Sequence, residues 1–250
     1  MTGPVSADDK QPFISHLKEL RDRILVCVIA VGIAFVATYY FKEKIFLLLM
    51  KPFLKVMPLK SSFIFTGLTE AFVTYFKISI VSSLFLVLPV ILYEFWSFIS
   101  PGLYEKEKHY VYPFMFWGSL CFLTGMVFCY FVIMPVLYKF FVSYSTEFII
   151  PLPDLKSYMN LTLKMLALFG LLFEIPLIAY YLSKAGIINY KILASKRRYA
   201  VLAIFIVSAI IATSDVAGLI MVAVPLWGLY EISIIIVKLF GKKEILHESL

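Results

Sequence analysis

The sequence predicts an all-α, polytopic membrane protein with six transmembrane helices, kinked and arranged as a concave groove, and three observations lead there. Hydrophobic residues make up 62% of the 250, against about 45–50% in ordinary soluble domains. Charged residues are only 16%, against about 25%, and mean hydropathy is +0.92. Finally, the uncharged stretches are long enough to cross a bilayer as helices, which takes roughly 20 residues each, rather than as the shorter strands of a barrel. A water-soluble fold of this length has too little interior to hide so much apolar surface.

The chain reads as one integral membrane domain, 1–250, with spans at about 24–41, 71–98, 110–138, 158–183, 199–214 and 216–237. The first holds no charge between Arg23 and Lys42. The second carries Lys77 near its start and Glu94 near its end, and the third is the longest uncharged run. The fourth is interrupted by Glu174 and the sixth by Glu231. Only Asp215 separates the last two, so they form a tight hairpin. At about 1.5 Å per residue, a sixteen-residue fifth span reaches about 24 Å, short of a hydrocarbon core of about 30 Å. The first apolar run is too long, and too far from the N-terminus, for a cleaved secretory signal.

Six spans place both termini on one side. That side collects fourteen Lys and Arg residues, including all four arginines, and the other side seven, while Lys77 and Lys164 lie within spans. The excess makes the terminal side cytoplasmic. The net charge of +7 is therefore read as a topology signal, not as a nucleic-acid footprint. Between spans 1 and 2, Ile45–Met50 ends at Lys51-Pro52 and reads as an interfacial helix. Between spans 3 and 4, Pro151 and Pro153 favour an extended, ordered loop. Pro89, Pro113, Pro135, Pro176 and Pro225 fall inside spans, where each removes a backbone hydrogen bond and tends to kink its helix. Those kinks are the basis for expecting a groove.

Familiar catalysts leave no trace. The sequence has no phosphate-cradling G-x-x-x-x-G-K-[ST], no H-E-x-x-H and no G-x-S-x-G. His16, His109 and His247 are too scattered for a metal site, and Cys27, Cys121 and Cys129 lie singly in apolar runs. No enzyme activity, cofactor or metal is expected. The informative residues are acids at membrane depth, because a carboxylate there is costly and marks a functional site by default. These are Glu174 and Glu231, with Asp215 at the turn of the short hairpin. Their bland reading is a hydrogen bond to a neighbouring helix. On the N-terminal segment, Phe13, Leu17, Leu20 and Ile24 form an apolar stripe leading into span 1, and Glu19 lies on another face with Arg23 four residues on. Taken alone, that pair is a helix-surface ion pair worth tenths of a kcal/mol. After span 2, the run Glu105-Lys106-Glu107-Lys108 reads as a solvated turn on composition alone.

Five collinear stretches change that reading. His16-Leu17-Lys18-Glu19-Leu20-Arg21-Asp22-Arg23 is followed by Pro89-Val90-Ile91-Leu92-Tyr93 with Phe95-Trp96-Ser97-Phe98-Ile99. Then come Pro101-Gly102-Leu103-Tyr104 with Glu107, Phe169-Gly170 with Phe173-Glu174-Ile175-Pro176, and Asp215-Val216 with Pro225 and Tyr230-Glu231-Ile232-Ser233. Together they resemble the TatC family, the multi-spanning subunit of the twin-arginine protein translocase. The resemblance implies a non-enzymatic cytoplasmic-membrane receptor for signal peptides bearing two consecutive arginines. It also implies work with single-span TatA- and TatB-type partners to export folded precursor proteins on the proton-motive force, and self-association in a larger complex. By the same resemblance Glu19 and Glu107 contact the twin arginines, with Glu105 a second acid beside Glu107. Leu20, Arg21 and Phe98 border the peptide, and Glu174 and Asp215 serve partner contact within the membrane. The rival reading is a proton-coupled secondary transporter using Glu174 and Glu231, although such folds usually carry paired repeats and broken helices.

Overall fold

The computed structural model describes residues 10–57, 63–64, 67–99, 111–146, 152–212 and 216–241. These residues fold as ten α-helices with one π-helical turn, and no strand longer than an isolated bridge occurs among them. The helices are α1 Lys10–Tyr40, α2 Lys42–Leu54, α3 Glu70–Ile99, α4 Val111–Phe128, α5 Met134–Val142, α6 Leu155–Leu172, α7 Ile175–Lys184, α8 Tyr190–Ser195, α9 Arg197–Ala212 and α10 Val216–Phe240. Among the described residues five helical stretches are long and apolar enough to cross a membrane, at 16–40, 70–95, 115–142, 155–184 and 218–240. The sixth expected span is α9, whose sixteen residues keep it as short as the sequence predicts. The expected turn at Asp215 lies outside the described residues.

The chain divides into two compact units, 1–46 with 72–119, and 47–71 with 120–250. In the first, α1 and α3 run antiparallel. Near one end Thr38 Oγ1 donates to the carbonyl of Ser79 at 2.9 Å, and near the other Arg23 Nη1 donates to Glu94 at 2.9 Å. Fifteen residues separate the two contacts on both helices, so the pairing stays in register along the shared length. Phe35 meets Phe76 edge-on between them, with centroids 5.3 Å apart. The outward faces stay apolar and open: Ile33 and Val36 are each 70% exposed, as expected of side chains whose solvent is lipid. Ser79 and Ser83 are fully buried and donate to carbonyls one turn back, Tyr75 and Ile80, which satisfies the hydroxyls without a second helix.

The second unit has a denser core around Phe169, Met165, Met159, Met134 and Cys129, all nearly inaccessible. Here the expected interfacial helix is longer than the apolar hexapeptide implied and is tied to protein. Tyr130 and Tyr158 donate their hydroxyls to the carbonyls of Leu48 and Leu49 at 2.7 and 2.8 Å. Phe53 is buried against Phe63, Tyr138 and Tyr158. Tyr138 and Thr162 share a hydrogen bond of 2.8 Å. The extended segment before α6 forms as expected: Ile64 and Asp154 make a parallel bridge, with Ile64 donating to Pro153 and Leu155 donating to Ile64. Glu70 is buried beside it, accepting from the backbone N–H groups of Gly67 and Lys156.

The prolines do not all act alike. Pro135 follows a π-helical turn, Cys129–Ile133, through which the helix passes into α5. Pro176 is the second residue of α7, which a two-residue gap separates from the end of α6. Both remove a backbone donor, and at both the regular α pattern gives way just ahead of the ring. Pro113 falls in the first turn of α4, where the missing N–H has no intrahelical partner to lose. Pro89 and Pro225 are carried inside continuous helices. The regular α pattern is thus interrupted ahead of Pro135 and Pro176, while the other three prolines lie within continuous helices.

Close approaches and caps fix the remainder. A Cβ on Gly125 would collide with the carbonyl oxygen of Phe169 and lie 2.9 Å from the Phe173 side chain, so α4 and α6 touch through that glycine. Gly186 ends α7 with φ +77°, donating to Ser183 while Ile187 donates to Leu182, a left-handed cap that glycine adopts without steric cost. Asp154 caps α6 by accepting from the backbone N–H and the hydroxyl of Ser157 at 2.9 and 2.7 Å.

Gly125→Ala is expected to lower stability by about 1–3 kcal/mol, the usual cost of overpacking, read as a lower melting temperature of the purified protein in detergent. Asp154→Ala is expected to cost about 1 kcal/mol at neutral pH through loss of the cap. The Ser157 hydrogen bonds hold the Asp154 carboxyl below its usual range. A depressed pKa stabilises the fold above the unfolded value and loses that contribution as pH falls through the folded value. The gap between Asp154→Ala and the parent protein should therefore close below about pH 4, the ordinary aspartate range.

Candidate functional site

Two polar clusters sit where an apolar protein has least reason to keep them. The first is at the N-terminal end of α1, where it packs on the C-terminal end of α3. Glu19 and Arg23 are four residues apart, so the helix sets both on one face. Arg23 donates to Glu19 Oε1 through Nη2 at 2.6 Å and Nε at 3.1 Å. Its third contact, Nη1 to Glu94 Oε2 at 2.9 Å, crosses to α3. One guanidinium thus joins two carboxylates on two helices. The group is partly withdrawn from solvent: the side chains of Arg23, Glu19 and Glu94 are 24%, 34% and 15% exposed.

Aromatic contact closes one side of this cluster. His16 stacks on Phe98 with ring centroids 4.3 Å apart and planes 15° from parallel, and His16 Nδ1 lies 3.7 Å from Glu19 Oε2. Leu20 is half-buried on the same helix. Arg21 points elsewhere, pairing with its neighbour Asp22 through Nε and Nη2 at 2.8 and 2.6 Å, both side chains mostly exposed. The structure thus brings Glu19 and Phe98 together through His16 and leaves Arg21 in a separate exposed pair. Glu107, and Glu105 beside it, lie outside the described residues, as does Asp215.

Sequence reasoning noted Glu94 only as an interruption near the end of span 2. Its role as the second acceptor of Arg23 depends on the antiparallel register of α1 and α3. The signal available was the residue type itself, an acid carried inside an apolar run.

The second cluster is a single residue in the other unit. Glu174 falls in the two-residue gap between α6 and α7 that Pro176 opens, with its backbone carbonyl accepting from Ile178. Its side chain is 6% exposed, and neither carboxyl oxygen has a hydrogen-bond partner among the described residues. Phe173, its neighbour in the chain, has its ring centroid 5.5 Å from that of Phe128, which also lies 6.1 Å from Phe169. Glu231 is different. Arg197 of α9 reaches it at 2.8 Å, and Tyr230 beside it donates to the carbonyl of Leu193 on α8 at 2.8 Å. Glu231 therefore matches its bland reading, an acid paired with a neighbouring helix, and Glu174 does not.

This architecture has close known counterparts. The family model for Sec-independent protein translocase protein (TatC) matches residues 15–225. The Sec-independent protein translocase protein TatC of Desulforapulum autotrophicum is 44% identical over 95% of this chain and 88% of its own length. That of Escherichia coli strain K12 is 36% identical over 92% and 89%, and that of Aquifex aeolicus 37% identical over 93% and 97%. Among solved structures, a crystal structure of the twin-arginine translocase receptor TatC superposes with a TM-score of 0.81 at 38% identity, covering 90% of this chain and 98% of the other. The chain belongs to the TatC family, and it is a multi-spanning membrane component of the Sec-independent protein translocase.

Proposed function

We propose that this chain is the translocase's receptor for signal peptides with two consecutive arginines, and that Glu19 accepts one of the two guanidinium groups. The observation that supports this most directly is Arg23. A guanidinium already rests at this spot, held by Glu19 and Glu94 at 2.6–3.1 Å, so the local geometry suits a planar donor fork flanked by carboxylates. Arginine fits because it is always charged and presents paired N–H groups that a carboxylate meets with two parallel bonds; lysine offers a point charge without that geometry. Phe98 and Leu20 supply apolar surface for the peptide beside the acid. Glu107, with Glu105 adjacent, takes the second arginine by analogy with the family pattern at Lys106-Glu107-Lys108.

The two-to-one excess of basic residues on the side of both termini supports a cytoplasmic placement of Glu19 in a prokaryotic inner membrane. Partners are single-span proteins of the TatA and TatB type, and transport of folded cargo draws on the proton-motive force. Glu174 is the intramembrane contact for such a partner, with Asp215 a second. A buried carboxyl with no hydrogen-bond partner among the described residues is costly, and a polar group on a docked helix relieves that cost.

Purified protein in nanodiscs should bind a labelled twin-arginine signal peptide. Glu19→Ala should weaken binding by about 1.5–3 kcal/mol, the range for hydrogen bonds to charged groups, and Lys-Lys in place of Arg-Arg in the peptide should cost a similar amount. Equal affinity for both peptides would remove the recognition logic. For Glu174 the readouts separate: Glu174→Ala should leave the melting temperature of the isolated chain unchanged or raised, while co-purification of the single-span partner falls. Intact co-purification and export would return Glu174 to a packing role.

A further inference from the structure

The position of Arg23 carries an inference beyond its service as a marker of the site. A carboxylate and a guanidinium meet best through two parallel bonds, one to each oxygen. In this structure both Arg23 bonds to Glu19 converge on Oε1, while Oε2 has His16 Nδ1 at 3.7 Å, beyond hydrogen-bond range. The acceptor is therefore half taken. An incoming arginine can form its full fork on Glu19 only if Arg23 gives up Oε1. The second contact of Arg23 makes that departure feasible, because Nη1 is already bonded to Glu94 Oε2 at 2.9 Å. An arginine pushed off Glu19 with no other anion in reach would leave a partly buried charge unpaired, which is strongly unfavourable. The charges also count in favour of exchange. Glu19, Glu94 and Arg23 together carry one excess negative charge, and one arriving guanidinium neutralises it.

We propose that Arg23 is an internal stand-in for a signal arginine: it occupies Glu19 while no peptide is bound, and an arriving guanidinium displaces it onto Glu94. Arg23 and Glu94 then set how tightly the site takes its ligand, Arg23 as the competitor and Glu94 as the carboxylate that receives it. A peptide must offer an arginine that outcompetes a resident one, so weak cationic sequences are turned away. This inference rests on the reading of Glu19 as the arginine acceptor.

The test measures binding of a fluorescent twin-arginine peptide to the full chain in nanodiscs. Arg23→Gln removes the competitor and should tighten binding by roughly threefold to tenfold, equivalent to about 0.65–1.4 kcal/mol. Glu94→Gln removes the receiving carboxylate, confines Arg23 to Glu19, and should weaken binding. In the Arg23→Gln background the same Glu94→Gln change should shift affinity less than about twofold, because nothing remains to be received; the cycle isolates the coupling between the two residues. The double variant leaves only Glu19 without its guanidinium, the more exposed of the two acids at 34% against 15%, which keeps the result readable if Arg23→Gln alone folds poorly. Weaker or unchanged binding by Arg23→Gln, or by a double variant that melts like the parent, overturns the proposal provided Glu19→Ala still weakens binding. If Glu19→Ala has no effect, the acceptor reading itself fails, and the two failures are thereby distinguished.

Discussion

Hydrocarbon offers no hydrogen bonds, and every feature of this structure follows from that constraint. Backbone polar groups must be satisfied within the chain, so the spans are helices. Hydroxyls at depth follow the same rule. Ser79 and Ser83 donate one turn back along α3, Thr38 reaches the carbonyl of Ser79, and Tyr138 pairs with Thr162. The tyrosine hydroxyls that hold α2 do so by donating to its carbonyls. Such hydroxyls thus close on their own helix, as at Ser79 and Ser83, or fasten one helix to another, as at Thr38, Tyr130, Tyr138 and Tyr158, because an unmade bond has no water to fall back on.

Against that background, the acids show opposite solutions to one cost. Glu94 and Glu19 are stabilised by sharing the Arg23 guanidinium at the end of a helix pair, where the side chains keep some access to solvent. Glu174 is enclosed with neither oxygen bonded among the described residues. The first arrangement pairs both acids within the chain. The second leaves both oxygens unmatched among the described residues. Glu231, tied down by Arg197, shows how the same residue type behaves when its task is to hold two helices together.

Reading the chain in one dimension exposed the spans, the short fifth helix, the extended segment at Pro153 and the acids at depth. It exposed the Glu19–Arg23 spacing too, and there it fell short. Four residues on a helix predict a surface ion pair of little consequence, and nothing local reveals that Arg23 has a second acceptor seventy-one residues away. The prolines are similar. Each removes a donor, yet the α pattern gave way at Pro135 and Pro176 while α3 and α10 continued through Pro89 and Pro225.

The sequence by itself determined the class, the long apolar spans and the chemistry on offer, because hydropathy over about 20 residues and residue type are properties of the chain alone. Tertiary structure decided which of those residues act together. The antiparallel register of α1 and α3 turned two isolated acids and an arginine into one three-part cluster. The break ahead of Pro176 left Glu174 buried with neither oxygen bonded among the described residues. Both outcomes depend on distances between segments far apart in sequence, which are set by packing side chains in three dimensions.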